Sequence, residues 1–307
     1  MSGPCCVAYR LGMDVLTRIS RRRADLTDKV ALITGAGHGI GAATARLLVD
    51  NGARVALLDR DEAAVRQLAA ELNGAAEAFV ADVTDPAGLA EAVAAVTHRF
   101  GGLDIVVANA GIMGPVASFA HADPNEYDRM VEVDLFGVIR TVRATLPSVI
   151  VRRGYVLVIA SAAALIPGPT ISGYAAAKAG VEAFGRALRL ELAHTGASAG
   201  VAYFGIIDTG LVRDGLLNDT GLEAIVAALP GGYKEPVPPE VAAKAVVSGI
   251  RRRARWVCAP PYVYALMMLR TPLAIADPLV ARNRKVRAAI RHTQNASAQV
   301  PVRSALE

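Results

Sequence analysis

The chain has 307 residues and a formal net charge of +5, with 33 lysines and arginines against 28 aspartates and glutamates. Three cysteines, Cys5, Cys6 and Cys258, are too few for a disulfide framework, which indicates a reducing compartment, and the five histidines lack metal-ligand spacing. No apolar stretch is long enough to cross a bilayer and the N-terminus lacks a signal-peptide pattern, so we expect a cytoplasmic protein without a metal centre.

Residues 1–26 are predicted to form a basic N-terminal extension. Ala8, Leu11, Val15 and Ile19 recur at helical spacing, and three arginines follow at positions 21–23. This pattern fits a helix packed on the core or in a subunit interface, and it also fits peripheral attachment to an anionic membrane. We favour the first interpretation.

Residues 29–60 predict a strand, a glycine-rich turn, a helix and a second strand. The apolar run Lys29–Ile33 is typical of a buried parallel strand, and Arg54–Asp59 repeats that pattern after the helix-forming segment Ala42–Asp50. The turn Thr34–Gly41 has the spacing T-G-x-x-x-G-x-G. Its glycines permit a tight turn and a close approach of the backbone to a pyrophosphate, which a helix N-terminus would bind. No Gly-Lys-Ser/Thr follows, which excludes a Walker loop.

Asp59 ends the second predicted strand and indicates which nucleotide binds. A carboxylate there can accept hydrogen bonds from an adenosine ribose diol and repels a 2′-phosphate, so NAD is predicted in preference to NADP. The neighbouring Arg60 and the weakly basic His38 favour NADP, which is the alternative.

Tyr174 and Lys178 lie four residues apart in the run S-G-Y-A-A-A-K, and Ser161 lies thirteen positions before Tyr174. Residues four apart share one face of a helix. A cation beside a phenol favours the phenolate, which is the base that an alcohol-oxidising enzyme needs. The pattern Y-x-x-x-K is weak alone and gains weight from the nucleotide-binding pattern upstream.

With these motifs in this order, residues 27–260 resemble the short-chain dehydrogenase/reductase family. The resemblance implies that Ser161 orients the substrate oxygen, Tyr174 transfers its proton, and Lys178 holds the nicotinamide ribose. It also implies adenine contacts from Asp82 and Val83. The catalytic set is Ser161, Tyr174, Lys178 and Asp134, and the cofactor-binding set is Gly35, Gly37, His38, Gly39, Ile40, Gly41, Asp59, Arg60, Asp82, Val83, Asn109, Ala110, Gly111, Tyr174, Lys178, Gly205 and Thr209.

The sequence departs from the family pattern at two positions. Asp134 stands where the family usually has a catalytic asparagine, and its negative charge should raise the pKa of Lys178 and, less directly, of Tyr174. We therefore expect a working proton relay with an alkaline-shifted optimum. Phe204 stands where a proline usually precedes Gly205, so we expect a more mobile loop on the nicotinamide side.

The remaining elements predict an α/β protein with one Rossmann-type, doubly wound parallel sheet in three layers. Further strands are expected near 76–80, 103–108, 154–160, 199–204 and 255–258, and helices near 61–72, 86–100, 124–150, 173–194 and 239–252. This single dehydrogenase domain spans residues 27–260. The two long helices at 124–150 and 173–194 resemble those through which the family forms dimers and tetramers, so we expect a homo-oligomer.

Residues 261–307 are predicted to form an apolar and basic C-terminal extension. Residues 251–307 carry eleven lysines and arginines against two acidic residues, and Pro261–Val280 is apolar without a clear period. The same two interpretations apply as for residues 1–26, and we again favour packing on the protein itself. No nucleic-acid-binding module accompanies the arginines.

The segments after the matched motifs indicate the substrate class. Ile112, Met113 and Pro115, residues 162–167 and residues 210–235 are mainly apolar, and residues 216–229 should form a mobile helix over the site. A hydrophobic secondary alcohol or ketone is therefore the predicted substrate. The alternative is an NAD-binding regulatory or scaffold protein with impaired catalysis, which Asp134 and Phe204 would favour.

Overall fold

The structure, a computed structural model, describes residues 24–114, 116–213, 235–284, 286–288 and 290–291. Its sheet has seven strands in the order β3-β2-β1-β4-β5-β6-β7, and every neighbouring pair is parallel. The strands are β1 Val30–Thr34, β2 Arg54–Asp59, β3 Ala76–Val80, β4 Ile105–Ala108, β5 Tyr155–Ile159, β6 Ser198–Phe204 and β7 Trp256–Ala259.

Helices cover both faces of the sheet, which confirms the predicted Rossmann-type α/β fold. They are α1 Gly39–Asp50, α2 Glu62–Glu71, α3 Pro86–Phe100, α4 Pro124–Val131, α5 Val138–Val151, α6 Ser172–Glu191, α7 Pro239–Arg252, α8 Tyr262–Ile275 and α9 Asp277–Arg282. One apolar core contains side chains of α1, α2 and α7, and the other contains side chains of α3, α5, α6 and α8. The central strands are buried on both faces, which explains their continuous apolar sequences.

The order of the strands places a crevice at the carboxyl ends of β1 and β4. The chain runs from β1 outward through β2 and β3, and then returns to β4 on the other side of β1. The loops after β1 and β4 therefore leave the sheet in opposite directions, and the gap between them is where ligands bind in sheets of this kind.

One predicted helix is divided in the structure. We expected a continuous helix over 124–150, but α4 ends at Val131 and a π-helical segment, Glu132–Gly137, leads into α5. A π turn takes an extra residue, which turns the following side chains relative to a regular α-helix. Asp134 lies within this segment and is fully buried.

The beginning of the C-terminal extension packs on the sheet. Val263 and Met267 of α8 are buried in the core on the α6 side, and the Arg270 guanidinium lies 2.7 Å from a carboxylate oxygen of Glu182 in α6. Within the part of the chain that the structure describes, no helix has the length and hydropathy needed to cross a membrane.

Several predictions from the sequence fall outside the described residues. They concern the helical stripe at residues 8–19, Pro115, the helix at residues 216–229, and the end of the chain from residue 292.

Candidate active site

The glycine turn after β1 joins the strand to α1 and fits closely against β4. Gly35 and Gly39 have φ values of +63° and +51°, which side chains rarely allow. A Cβ on Gly35 would lie 2.9 Å from Cα of Ala110, and one on Gly39 would lie 2.9 Å from a methyl carbon of Thr209. Gly41 is buried, and a Cβ there would collide with the carbonyl oxygen of Gly35. The turn thus requires glycine for both conformation and space.

Asn109, one of the predicted cofactor-binding residues, ties the loop after β4 to the glycine turn. The side-chain amide of Asn109 donates hydrogen bonds to the carbonyl oxygens of Thr34 and Gly35 at 3.0 and 3.1 Å. The hydroxyl oxygen of Thr34 accepts the backbone N–H groups of Asn109 and Ala110 at 3.0 and 3.1 Å. These four bonds fix the two sides of the crevice relative to each other.

The carboxylate of Asp59 is held at the edge of the same crevice. One oxygen accepts the backbone N–H of Gly37 at 2.8 Å, and the other accepts that of Asp61 at 3.0 Å. His38, the N-cap of α1, makes no side-chain capping hydrogen bond, so its side chain leaves the amides at the N-terminus of α1 uncovered. Its ring nitrogen lies 3.8 Å from Asp61, and Arg60 is exposed.

Asp82 and Val83 follow β3 and face the crevice from its far side. One carboxylate oxygen of Asp82 accepts both the backbone N–H and the hydroxyl of Thr84, each at 2.8 Å. Burial opposes ionisation, but these hydrogen bonds lower the pKa of Asp82 overall. Val83 is buried, and a Cβ on Gly137 of the π segment would collide with it.

The loop after β5 and the start of α6 bring Ser161 and Tyr174 together. Both side chains border the same crevice, and Ser161 Oγ accepts the backbone N–H of Ala163 at 3.2 Å. One turn further along α6, Nζ of Lys178 lies 5.5 Å from the centre of the Tyr174 ring. The predicted catalytic side chains Ser161, Tyr174 and Lys178 therefore lie close together in the structure.

Asp134 lies directly behind Lys178. Its Oδ2 is 2.9 Å from Lys178 Nζ, and its Oδ1 accepts the backbone N–H of Ile112 at 2.7 Å. Asp134 and Lys178 are 0% and 4% exposed. Lys178 also donates to the carbonyl oxygen of Ile159 at 3.4 Å. An ammonium has three donors, so one remains for a ligand in the crevice.

The pKa values in this group follow from burial and from the two charges. Burial lowers the pKa of Lys178, but the Asp134 carboxylate and the Tyr174 phenol outweigh it, and the pKa is raised overall. Burial raises the pKa of Asp134 in spite of the ammonium beside it. The pKa of Tyr174 is raised, first by burial and also by Asp134, against the opposing effects of Lys178 and Ser161. These directions agree with the expected effect of Asp134.

The crevice is a cavity of about 990 Å³, and residues of both the nucleotide-binding motif and the catalytic motif border it. The predicted site residues that border it are Gly35, Gly37, His38, Gly39, Ile40, Asp59, Arg60, Asp82, Val83, Asn109, Ala110, Gly111, Ser161, Tyr174, Lys178, Gly205 and Thr209. Gly41 and Asp134 do not line this cavity. Gly41 provides close packing beneath the turn, and Asp134 contacts two residues that border the cavity, Lys178 and Ile112.

The predicted substrate-binding segments contribute unequally to the cavity. Ile112, Met113 and the helical turn Gly210–Val212 border it, whereas residues 162–167 do not, because their 3-10 turn packs against α6 and α8 instead. Asp208 and Glu240 also border the cavity and were not predicted from the sequence. Asp208 adjoins the predicted Thr209 and could have been found from it, but no local signal marks Glu240 at the start of α7.

Phe204 is held in place by strand pairing, and the expected mobility of the loop that follows stays a prediction. It is the last residue of β6, it is buried, and it pairs in register with Ala259 of β7. Gly205 then donates its backbone N–H to the carbonyl of Ala259 at 2.9 Å. Strand pairing thus holds the backbone at the position where a proline would otherwise restrict it.

The described residues contain no group of three or more histidine, cysteine, aspartate or glutamate side chains that could hold a metal ion.

Comparison with known proteins agrees with this geometry. The family model described as short chain dehydrogenase matches residues 29–218. An uncharacterized oxidoreductase of Staphylococcus epidermidis is 34% identical over 191 residues, which cover 62% of this chain and 83% of that protein. The probable oxidoreductase EphD of Mycobacterium tuberculosis is 31% identical over 290 residues, which cover 88% of this chain but 47% of EphD.

Two solved structures of similar fold are themselves named as reductases. The 3-ketoacyl-(acyl-carrier-protein) reductase from Brucella melitensis, complexed with NADH, is 29% identical, with a TM-score of 0.66 over 76% of this chain and 97% of that one. Levodione reductase is also 29% identical, with a TM-score of 0.70 over 76% of this chain and 96% of that one. The family model covers more than half of the chain, and the chain belongs to the short-chain dehydrogenase family of oxidoreductases.

Proposed function

We propose that this protein interconverts a hydrophobic secondary alcohol and its ketone with a nicotinamide cofactor, and that it prefers NAD. The main support for the proposal is that one and the same cavity is bordered by Ser161, Tyr174 and Lys178 and also by the glycine turn and Asp59. A proton-transferring group and a dinucleotide site therefore meet at one place, as alcohol oxidation requires.

The residues around the crevice fit a dinucleotide. The glycine turn has no side chains that would obstruct a pyrophosphate, and the uncovered amides at the N-terminus of α1 favour a negative charge. Asp59 is fixed by two backbone amides where it can accept hydrogen bonds from a ribose diol. Lys178 has one donor left for the second ribose. When bound, the nicotinamide supplies hydride transfer.

The protein's own side chains would transfer the proton to and from the substrate oxygen. In the oxidation direction, Ser161 orients the substrate hydroxyl and the Tyr174 phenolate takes its proton as the carbon loses hydride. Reduction uses the same groups in reverse, with the phenol donating to the developing alkoxide. Lys178 favours the phenolate, and Asp134 behind it weakens that effect and raises the pKa of Tyr174, so we expect an alkaline optimum for oxidation.

The lining of the cavity supports a hydrophobic substrate. Ile112, Met113 and Leu211 border the cavity that Tyr174 also borders. Arg213 is the described cation nearest to these residues in the sequence, and its guanidinium lies 3.0 Å from the Asp208 carboxylate. Because Arg213 is already paired, it is a poor partner for the carboxylate or phosphate of a polar substrate.

The test is turnover of purified full-length protein with NAD⁺ and, separately, NADP⁺, followed by the absorbance of the reduced nicotinamide. The panel pairs steroid, terpenoid and long-chain secondary alcohols with sugars and short hydroxy acids at equal concentration. We expect turnover of the apolar alcohols with NAD⁺. Preference for sugars or short hydroxy acids would contradict the substrate class, and preference for NADP⁺ would contradict the role of Asp59.

A second candidate function is nucleotide-dependent regulation without turnover. The ion pair between Asp134 and Lys178 favours it, because that pair neutralises the cation that should activate Tyr174. Binding of NADH without turnover of any compound of the panel, in either oxidation or reduction, would favour this alternative. A homo-oligomer, as a dimer or tetramer, stays a prediction under either function.

A further inference from the structure

Helices α8 and α9 expose an unusually apolar surface. Six large apolar side chains of this segment are between 44% and 76% exposed, and they are half of the twelve such exposed side chains in the described residues. They are Tyr264, Met268, Leu269, Ile275, Leu279 and Val280. Single exposed apolar residues are ordinary, but a cluster in one short segment indicates a surface that is covered in use. We call these six residues the α8–α9 face.

The opposite side of α8 is already packed, which fixes the direction in which the α8–α9 face points. Val263 and Met267 are buried in the core, and Arg270, the one charged residue of α8, is paired with Glu182. A helix that is apolar around its whole circumference is normally buried on all sides. Among the residues that the structure describes, only one side of α8 is packed against the protein, and we infer that an external partner covers the other side.

The charge next to the α8–α9 face distinguishes between possible partners. Arg282, Arg284, Arg287 and Arg291 follow the face and are exposed, whereas Asp277 is the only acidic residue between 251 and 291. A second copy docking through the same face would concentrate the arginines of both copies around one interface, which is unfavourable. An anionic lipid surface offers apolar chains to the face and phosphates to the arginines.

The helix that carries most of this face, α8, begins beside the active-site cavity. Tyr262, the first residue of α8, fills the space beside Gly205, which borders the cavity. Helix α8 further contacts the 3-10 turn Ala162–Ala164, which directly follows Ser161. An apolar compound dissolved in a membrane would therefore be near the cavity when this face is docked.

We propose that the α8–α9 face docks on an anionic lipid surface. The apolar side chains enter the boundary between headgroups and acyl chains, and the arginines after α9 contact the phosphates. Docking does not depend on turnover, so it can be tested whether or not the proposed function holds. This places membrane contact on a defined helical face, where the sequence alone favoured packing on the protein itself.

The experiment is flotation of the full-length protein with vesicles of phosphatidylcholine alone and with vesicles of equal parts phosphatidylcholine and phosphatidylglycerol. The apolar variant is Met268→Ser/Leu269→Ser/Ile275→Ser, and the basic variant is Arg282→Gln/Arg284→Gln/Arg291→Gln. The control is Val151→Ser/Leu190→Ser, which changes two apolar residues that are 82% and 77% exposed outside this face. Thermal unfolding and mass photometry accompany each measurement.

We expect the wild type to float with the anionic vesicles and only weakly with the neutral ones. Both α8–α9 variants should lose roughly tenfold or more of this binding, and the control should bind as the wild type does. If the triple apolar variant does not fold, Ile275→Ser alone should still reduce flotation.

Three results would overturn the proposal. The wild type could fail to float, or the apolar variant could float as well as the wild type. The third is a loss of self-association in the apolar variant with flotation unchanged, which would assign the face to a second copy.

Discussion

Asp134 Oδ2 and Lys178 Nζ form an ion pair of 2.9 Å from which solvent is excluded. The pair places a negative charge directly behind the cation that should activate Tyr174. The π-helical segment Glu132–Gly137 makes this possible, because it turns Asp134 inward between α4 and α5. The acid–base behaviour of the active site therefore depends on a residue that does not line the cavity.

Asp134→Asn should move the pH profile of alcohol oxidation toward neutrality. The carboxylate raises the pKa of Tyr174, so its removal lowers that pKa, and the phenolate needed for oxidation then forms at lower pH. We expect the rising limb to move by about one pH unit, since a charge a few ångströms away shifts a pKa by roughly one to three units. The measurement is kcat/KM for oxidation across the pH range.

Asp104→Asn is the matched control for that experiment. Asp104 is also a buried aspartate paired with a lysine, Lys29 at 3.3 Å, but it lies at the opposite end of β4 from the cavity. It should leave the pH profile unchanged. A profile that does not move in Asp134→Asn, or that moves equally in both variants, would show that Asp134 does not control Tyr174.

Asp134→Ala should destabilise the protein by about 3–5 kcal/mol, because it leaves the Lys178 ammonium buried without a counter-charge. Without its partner, Lys178 has a folded-state pKa below the unfolded one, so the unfolded state binds more protons between the two values. Stability of this variant should then rise with pH in that range. Denaturant unfolding at neutral and alkaline pH measures this, and equal losses at both would contradict the explanation.

Most of the fold could be predicted from the sequence, because turn-forming residues and helix-starting prolines mark the ends of many of its elements. The observed bounds of β2 and of α3 match the predicted ones, since Asn51-Gly52 precedes β2 and Pro86 begins α3. The π segment could not be predicted, because the apolar period of the helix runs through it. The contact of Asp134 with Lys178 joins residues 44 positions apart, so no local pattern indicates it. The family resemblance implied that the two charges interact, and the packing of α6 against the π segment brings them to 2.9 Å.

Tyr174→Phe should reduce turnover by roughly a hundredfold to ten-thousandfold, because it removes the group that transfers the proton. Binding of NADH, followed by its fluorescence, should remain, since the phenyl ring keeps the same packing. Tyr155→Phe is the control. The Tyr155 hydroxyl donates to the carbonyl of Ala254 at 2.6 Å away from the cavity, so this variant should lose about 1 kcal/mol of stability and no activity. Turnover that survives in Tyr174→Phe would contradict the proposed mechanism.

Gly41→Ala should weaken cofactor binding and stability together. The added methyl group would collide with the carbonyl oxygen of Gly35, and the glycine turn would have to move away from α1. Overpacking of this kind costs about 1–3 kcal/mol. Gly168→Ala is the control, because its methyl group would meet only Ile171, at an ordinary contact distance of 3.4 Å. Thermal unfolding and NADH titration of both variants test this, and equal effects would exclude a specific role for Gly41.

Asp59→Asn should shift the cofactor preference from NAD toward NADP. The amide keeps an oxygen that can accept the backbone N–H of Gly37, so the turn should retain its shape while it loses the negative charge. Repulsion of the 2′-phosphate then disappears, and Arg60 and His38 remain to attract it. We expect the ratio of kcat/KM for NAD⁺ to that for NADP⁺ to fall by roughly tenfold or more.

Asp61→Asn separates this effect from a general change of charge at the crevice. Asp61 caps α2 by accepting the backbone N–H of Ala64 at 3.0 Å, and it lies 3.8 Å from His38. The variant removes one negative charge only two residues away, so long-range electrostatics change by a similar amount while Asp59 stays in place. The cofactor ratio should then stay near that of the wild type. If it falls as far as in Asp59→Asn, the preference reflects the overall charge of the crevice, and a direct contact between Asp59 and the ribose is not required.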